Sequence, residues 1–330
     1  MRSVRVSRLS VVFTAGVISV LAAPILLSAQ AWLPPKGEGS VSFGVQTISF
    51  VGHFDNAGNK LPVGSSRATN LLLGLSYSFT DRFTADLSLP YVITKYTGDP
   101  LPQFFEPTAL DDGTSHSAFQ DFHLDLHYNI LKNSRHRGLQ DLSLTPFFSL
   151  IIPSHSYAFR GESAFGHDFR EYALGMSAGR LLSPFLRKAY VQGQYSYAFV
   201  QNVNDISLNH SNVDIEMGYF LPHSLAVRGF GSWLGTHGGI TLEQAFANPQ
   251  LLPIHDRLLG ASFWHLGTGA SYSLNRSLDL SFTYVTYLAG SQTHYGRGIT
   301  IGTTWNFSTR TSPTLAENAT SSSPPVALQR

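Results

Sequence analysis

One segment of this chain alternates polar and apolar residues at every position from 121 to 128. Its polar members are Asp121, His123, Asp125 and His127, and its apolar members are Phe122, Leu124, Leu126 and Tyr128. Successive side chains of a strand point to opposite sides, so one face meets water or polar partners while the other meets apolar surroundings. Taken alone, the segment fits a half-buried soluble sheet as well as a membrane strand.

This segment is one of twelve with the same pattern after Trp32, each about as long as a tilted strand needs to cross hydrocarbon. They span residues 39–50, 71–79, 83–93, 119–130, 142–152, 172–178, 189–199, 213–221, 225–233, 264–274, 278–288 and 299–307. No Asp, Glu, Lys or Arg lies on the apolar face inside these spans. A midplane Arg or Lys facing lipid costs about 2–4 kcal/mol, so this exclusion indicates a lipid-facing surface.

The connections between these segments alternate in length, with five short turns interleaved between six longer loops. In outer-membrane barrels the short turns are periplasmic and the long loops extracellular. We therefore predict an all-β fold, a twelve-stranded antiparallel transmembrane β-barrel with both termini periplasmic, in the bacterial outer membrane. The long loop at residues 234–263 is more apolar than a solvated loop needs to be, and we expect it to cover the extracellular mouth.

The two ends of the chain differ from this central part. Residues 1–31 combine Arg2, Arg5 and Arg8 with an apolar run and Ala29-Gln30-Ala31, which is typical of a cleaved signal peptide. A membrane anchor is the alternative, but Pro24 interrupts the run and no basic cluster follows it. Residues 32–307 form the predicted barrel, and residues 308–330 are a Ser/Thr/Pro-rich tail that we expect to be disordered.

Charge and cysteine content exclude several classes of function. Without the three arginines of the signal peptide, 19 basic residues face 21 acidic ones, a net charge of −2. No basic stripe is available to hold nucleic acid, so we expect none as a partner. The chain has no cysteine, which suits an exported protein and excludes thiol chemistry.

The face opposite the apolar one carries the candidate lumen-lining residues. They are Asp86, Asp121, His123, Asp125, His127, Asp141, Asp214, Glu216, Arg228 and Asp279. Asp86, Asp141 and Asp279 are predicted to lie at similar heights on the inner wall, near the periplasmic mouth. Their carboxylates either form a ring that attracts cations or hydrogen-bond to neighbouring side chains. Arg228 either pairs with Glu216 across a hairpin or captures anions.

The sequence gives less support to a metal site or to a lipid hydrolase than to a polar lumen wall. The row of Asp121, His123, Asp125 and His127 has zinc-type donors, but four ligands along one strand cannot converge on one ion, so we expect no metal and no cofactor. Outer-membrane lipid hydrolases place a His and a Ser two positions apart on the outer face, and none of the 13 histidines begins a His-x-Ser triplet. We therefore expect no catalytic residues.

Several stretches resemble the outer-membrane barrel family of meta-pathway phenol-degradation proteins. They are residues 31–39, 53–55, 58–62, 80–82, 87–91, 255–257, 278–280, 294, 296–298 and 302–307. The resemblance implies a barrel with a role in uptake, sometimes alongside aromatic catabolism, and it implies no catalytic residues. The tail after Phe307 departs from the aromatic last residue usual in such barrels.

The sequence therefore predicts a channel or facilitator for passive uptake of small solutes, with aromatic or hydrophobic solutes as the favoured class. The alternatives are a non-conducting structural or binding barrel and, less favoured, a lipid hydrolase. The expected partners are outer-membrane lipid, a small-molecule solute and, during biogenesis, the barrel-assembly machinery.

Overall fold

The computed structural model describes residues 31–62, 64–99, 110–131, 142–182, 186, 188–248, 250–251 and 254–309. Twelve strands cross the molecule. They are β1 (Glu38–Phe54), β2 (Ser66–Thr80), β3 (Phe83–Ser88 and Tyr91–Tyr96), β4 (Ser115–Phe119 and Asp121–Tyr128), β5 (Leu142–Pro153), β6 (Glu171–Leu181), β7 (Ala189–Val200), β8 (His210–Phe220), β9 (Leu225–Thr236), β10 (Ser262–Ser273), β11 (Leu278–Ser291) and β12 (Thr293–Ser308). A two-residue strand, Lys60–Leu61, pairs with the end of β1.

The strands form one closed antiparallel ring. Each pairs with its neighbours in the chain, and β1 closes the ring by pairing with both β2 and β12. Val45 of β1 lies opposite Leu71 on one side and Ile301 on the other. The predicted twelve-stranded antiparallel barrel is confirmed.

Two strands are interrupted at matching heights. Pro90 has no N–H to donate to a neighbouring strand, and β3 breaks at Leu89-Pro90. β4 breaks beside it at Gln120, whose N–H donates to the Pro90 carbonyl at 2.9 Å. The sequence predicted uninterrupted strands here, because the alternation of side chains continues through both breaks.

The barrel is apolar outside and polar inside, the reverse of a water-soluble protein. Large apolar side chains are exposed on the outer face, among them Leu73 at 55%, Leu174 at 57% and Ile301 at 63%. The interior holds buried polar chains: Asn70 donates to Gln46 at 2.8 Å, and Gln46 donates to Thr300 at 3.2 Å. These bonds satisfy polar groups across three neighbouring strands, as a lumen wall requires.

The two ends of the barrel differ as predicted. At the turn end, tight connections such as residues 81–82 and 221–224 join the strands. The start of β1 and the end of β12 also meet there, since the Thr309 N–H donates to the Gly37 carbonyl at 2.8 Å. At the loop end lie loop 154–170 and loop 237–261, and the latter carries α1 (Leu242–Ala247) and α2 (His255–Leu258).

The sixth loop is shorter than predicted. A loop was expected from residue 289 to 298, but strand structure continues to Ser291 and resumes at Thr293, leaving only Gln292 between. β11 and β12 separate beyond the Thr286–Arg297 pair. From there β11 stays paired with β10, and β12 stays paired with β1. Pairing with β10 and with β1 therefore replaces the loop. In the described part of the chain, no helix has the length and apolar character needed to cross a membrane.

Candidate functional site in the barrel lumen

The barrel encloses a cavity of about 320 Å³. Six of the ten candidate residues line it: Asp121, His123, Asp125, His127, Asp214 and Arg228. Aromatic side chains share the wall, namely Phe147, Phe230, Phe263 and Tyr287. The cavity therefore offers both hydrogen-bonding groups and flat apolar surfaces to a small molecule.

The row on β4 does not converge on one point. Asp121 accepts a hydrogen bond at 2.6 Å from the Tyr157 hydroxyl of loop 154–170. Nε2 of His127 lies 3.2 Å from Asp86 Oδ2, on the neighbouring strand β3. Asp121 and His127 thus have separate partners, and all four members of the row line the cavity.

Arg228 and Glu216 form the most connected polar group of the lumen. Arg228 Nη1 donates to Glu216 Oε2 at 3.0 Å, and Nη2 donates to Thr283 at 3.3 Å. The other Glu216 oxygen accepts from Tyr190 at 2.7 Å and Gln192 at 2.9 Å. These contacts favour the first of the two interpretations of Arg228, an ion pair with Glu216 across a hairpin. Partners on β8 and β11 hold the guanidinium at the wall of the barrel.

The three recurring aspartates have different surroundings. Asp86 is buried beside His127. Asp279 accepts from the Asn306 side chain at 2.7 Å. Asp141 lies outside the described residues. Asp86 and Asp279 thus contact neighbouring side chains, the second of the two interpretations, and neither lines the main cavity.

At the turn end, residues 31–35 enter the barrel ahead of β1. The Ala31 carbonyl accepts from the side chains of Asn129, Ser143 and Thr145 on the far wall. These contacts belong to the chain before the predicted cleavage after residue 31, whereas Trp32 and the residues that follow it stay in the predicted mature chain. The Trp32 ring meets Tyr190 edge-on at 5.8 Å between centroids. Sequence analysis missed this N-terminal plug; the apolar run from Trp32 to Pro35 before the first strand was the available signal.

At the loop end, loop 154–170 crosses from the β5–β6 side to the opposite wall. Its Glu162 accepts hydrogen bonds from His53 of β1 at 2.8 Å and His294 of β12 at 2.9 Å. Burial by itself raises the pKa of Glu162, but the charges and hydrogen bonds of the two histidines hold it well below the usual range. Glu162 is therefore an anion that fastens the loop across the mouth.

Loop 237–261 packs against this crossing loop. Ile240, Leu258 and Leu259 form an apolar cluster with Phe169 and Leu208. This position agrees with the expectation that the apolar loop covers one mouth of the barrel.

Arg257 ties the two loops together. Its Nε donates to the His167 carbonyl at 2.9 Å and its Nη2 to the Asp168 carbonyl at 2.6 Å. The guanidinium also lies over the rings of Phe159 and Phe169, at 4.5 and 4.7 Å from their centroids. Burial lowers the pKa of Arg257 from its usual value, while the carboxylate of Asp168 acts in the opposite direction.

Ser211 and His237 are in contact on the outer side of the barrel wall. They are 26 positions apart in the chain, so they do not form a His-x-Ser triplet. Ser211 Oγ lies 2.7 Å from His237 Nε2, and the Tyr195 hydroxyl lies 3.2 Å from the same oxygen. Ser211 is only 4% exposed. Among the described residues, no carboxylate is recorded in contact with His237, so the pair lacks the third member of a hydrolase triad.

The fold has relatives among solved structures. An outer membrane channel from Pseudomonas putida F1 superposes with a TM-score of 0.64 and 14% identity, covering 84% of this chain and 98% of that one. This chain has the fold of an outer-membrane β-barrel. The KdgM porin bound to disordered oligogalacturonate (TM-score 0.44, 10% identity, 81% and 99% coverage) and the NanC porin (0.46, 9%, 81% and 98%) are more distant. No protein-family model and no curated protein sequence matches the chain.

Proposed function

We propose that this protein is an outer-membrane channel for passive uptake of small solutes. The observation that carries the proposal is the cavity inside the closed barrel, lined by polar groups and by aromatic rings. The fold shared with a channel from Pseudomonas putida F1 is in agreement. Both ends of the lumen are partly covered, by residues 31–35 and by the packed loops, so we expect a narrow pathway that rejects large solutes.

The favoured solutes are small aromatic molecules that carry a polar group. The rings of Phe147, Phe230 and Tyr287 line the cavity, and the polar side chains of His123 and Asp214 line it as well. A ring with a hydroxyl or carboxyl group can satisfy both kinds of surface. The resemblance to the phenol-degradation barrel family supports the same class of solute.

Planar-bilayer recording of the refolded full chain tests the channel. We expect discrete conductance steps that are smaller than those of wide porins. Liposome swelling with sugars, amino acids and aromatic acids then identifies the solute, and aromatic acids should enter fastest. A silent barrel in both assays would favour the alternative of a non-conducting structural or binding protein.

The predicted orientation, with both termini periplasmic, is tested with single cysteines, since the chain has none of its own. Asn56→Cys places a thiol at the loop end and Arg276→Cys places one at the turn end. A membrane-impermeant maleimide should label the first variant on intact cells and the second only after permeabilisation. The reverse pattern would invert the orientation.

A further inference from the structure

Three donor side chains from distant parts of the chain meet at the loop end of the barrel. They are His53 of β1, Glu162 of loop 154–170 and His294 of β12, and their donor atoms lie within 4.8 Å of one another. Nε2 of each histidine points at the same carboxylate oxygen, at 2.8 and 2.9 Å. The two imidazole rings are 3.7 Å apart between centroids.

This cluster is built into the protein interior. His53, Glu162 and His294 are 5%, 2% and 2% exposed. Gly64, at φ +74°, passes so close that a Cβ there would collide with the Glu162 carboxylate. Asp111 accepts the backbone N–H groups of Glu162 and of Ser163, at 2.9 and 3.0 Å, which fixes the loop where it delivers the carboxylate.

The cluster brings one carboxylate together with two imidazoles. Among the described residues, the ion pairs recorded for Glu162 are those with His53 and His294, and no Lys or Arg takes part in them. Asp111 adds a second carboxylate nearby. One carboxylate and two imidazole nitrogens, buried together beside a second carboxylate, form an environment that favours a divalent cation.

We propose that His53, Glu162 and His294 form a binding site for a zinc-type divalent metal ion, which clamps loop 154–170 onto the seam between β1 and β12. Two imidazole nitrogens and one carboxylate oxygen match the donor set that zinc uses, with a fourth position left for water. Donor atoms around tetrahedral zinc are about 3.3 Å apart, so the two contacts to Glu162 must widen by about 0.5 Å. Each imidazole then carries its proton on Nδ1.

Metal binding by the tag-free full chain tests the proposal. The protein is refolded in detergent micelles with and without Zn²⁺, washed with a weak chelator and analysed for bound metal. Because the site is buried, loading during refolding gives the ion access before the loop closes. We expect one tightly held zinc ion per chain, with affinity weakened at least about tenfold in Glu162→Gln and in His294→Gln.

His116→Gln is the matched control, because it removes a partly exposed histidine of β4 that contacts Asp112 at 2.9 Å, away from the cluster. This variant should bind zinc as the natural protein does. Equal binding in Glu162→Gln and the natural protein, or no bound zinc after loading during refolding, would overturn the proposal.

If the ligand variants do not fold, binding of Co²⁺ to the natural protein tests whether His53, Glu162 and His294 form a metal site. A buried site with two imidazoles and one carboxylate should give Co²⁺ the intense visible absorption of four-coordinate geometry. The weak spectrum of six-coordinate, water-rich Co²⁺ would contradict the site, because it would mean that the ion is held at the surface.

Discussion

Glu216 sets the charge that Arg228 presents to the lumen. The carboxylate lies 3.0 Å from the guanidinium, which also borders the cavity and lies 5.8 Å from the Phe230 ring centroid. A permeating ion about 8 Å from this pair meets two charges of opposite sign that largely cancel. Ion selectivity should therefore depend on whether the carboxylate keeps its charge.

Glu216→Gln is expected to shift the channel towards anions. A unit positive charge acts on an ion 8 Å away with about 2 kcal/mol at an effective dielectric constant of 20, and water in the lumen reduces this. We expect the anion-to-cation permeability ratio to rise a few-fold, measured as a reversal potential across a KCl gradient. Asp279→Asn is the control, because Asp279 contacts Asn306 away from the main cavity. An equal shift in both variants would contradict the role assigned to Glu216.

At the scale of elements, loop 154–170 contains a group that responds to acid. His167 is half-buried and stacks on Phe169, with the rings parallel at 5.8 Å, and the loss of water around its ring lowers the pKa of His167 to about 4. Asp256 raises this pKa, while His210 and Arg257 lower it further. An imidazole released into water recovers its usual pKa of about 6.5, so the opened loop binds a proton that the closed loop does not.

Acidification from pH 7 to pH 5 should therefore loosen this loop. The packing of neutral His167 stabilises the closed loop fully above about pH 6.5, and this contribution falls by up to about 1.4 kcal/mol per pH unit below that. A spin label on Arg160→Cys should become more mobile at pH 5, and adding His167→Gln should remove most of the change. Equal mobility at both pH values in the single variant would show that His167 does not control closure.

The N-terminal plug is the second element whose removal has a direct consequence. Trp32 meets Tyr190 edge-on, and the backbone of Gly179 leaves space that a Cβ would take from the Trp32 ring. An aromatic pair of this kind contributes about 0.5–1.5 kcal/mol beyond area burial. Loss of this aromatic contact should make the form in which residues 31–35 are displaced about 2–13 times more populated.

Trp32→Ala should accordingly raise single-channel conductance or open probability. Gly179→Val should act in the same direction by crowding the ring. The control is Trp305→Ala, which removes a tryptophan that is 54% exposed on the outer face. If the Trp32 and Trp305 variants conduct alike, the segment does not limit the pathway.

For the molecule as a whole, stability depends on keeping charge off the outer face. Ile301 lies in the middle of β12 and is 63% exposed, whereas Val51 lies near the loop end of β1. Ile301→Arg should lower the free energy of unfolding by about 2–4 kcal/mol in lipid vesicles, and Val51→Arg by about 0–1 kcal/mol. Denaturant titration in lipid measures both, and equal costs at the two depths would contradict the proposed placement of the membrane.

The strands could be predicted from the sequence because lipid and lumen impose opposite chemistry on alternate residues. The prediction of twelve strands is confirmed, and the same alternation predicted Asp121, His123, Asp125 and His127 on one face of a strand. The break at Gln120 could not be predicted, since side-chain alternation carries no information about a missing backbone donor on the next strand. Nor could it join His53 to Glu162, because contacts made by a long loop have no period in the sequence.

The position of the N-terminal plug allows residues 31–35 to move without unfolding the barrel. Residues 31–35 are joined to β1 through Gly37, whose φ of +79° makes a sharp reversal just outside the first strand. Their recorded hydrogen bonds to the wall run to side chains, and no rung of the β-ladder includes them. Swinging this segment out of the turn end therefore leaves every inter-strand bond in place. We therefore expect that changes in residues 31–35 alter the rate of opening at that end and leave the unfolding rate of the barrel unchanged.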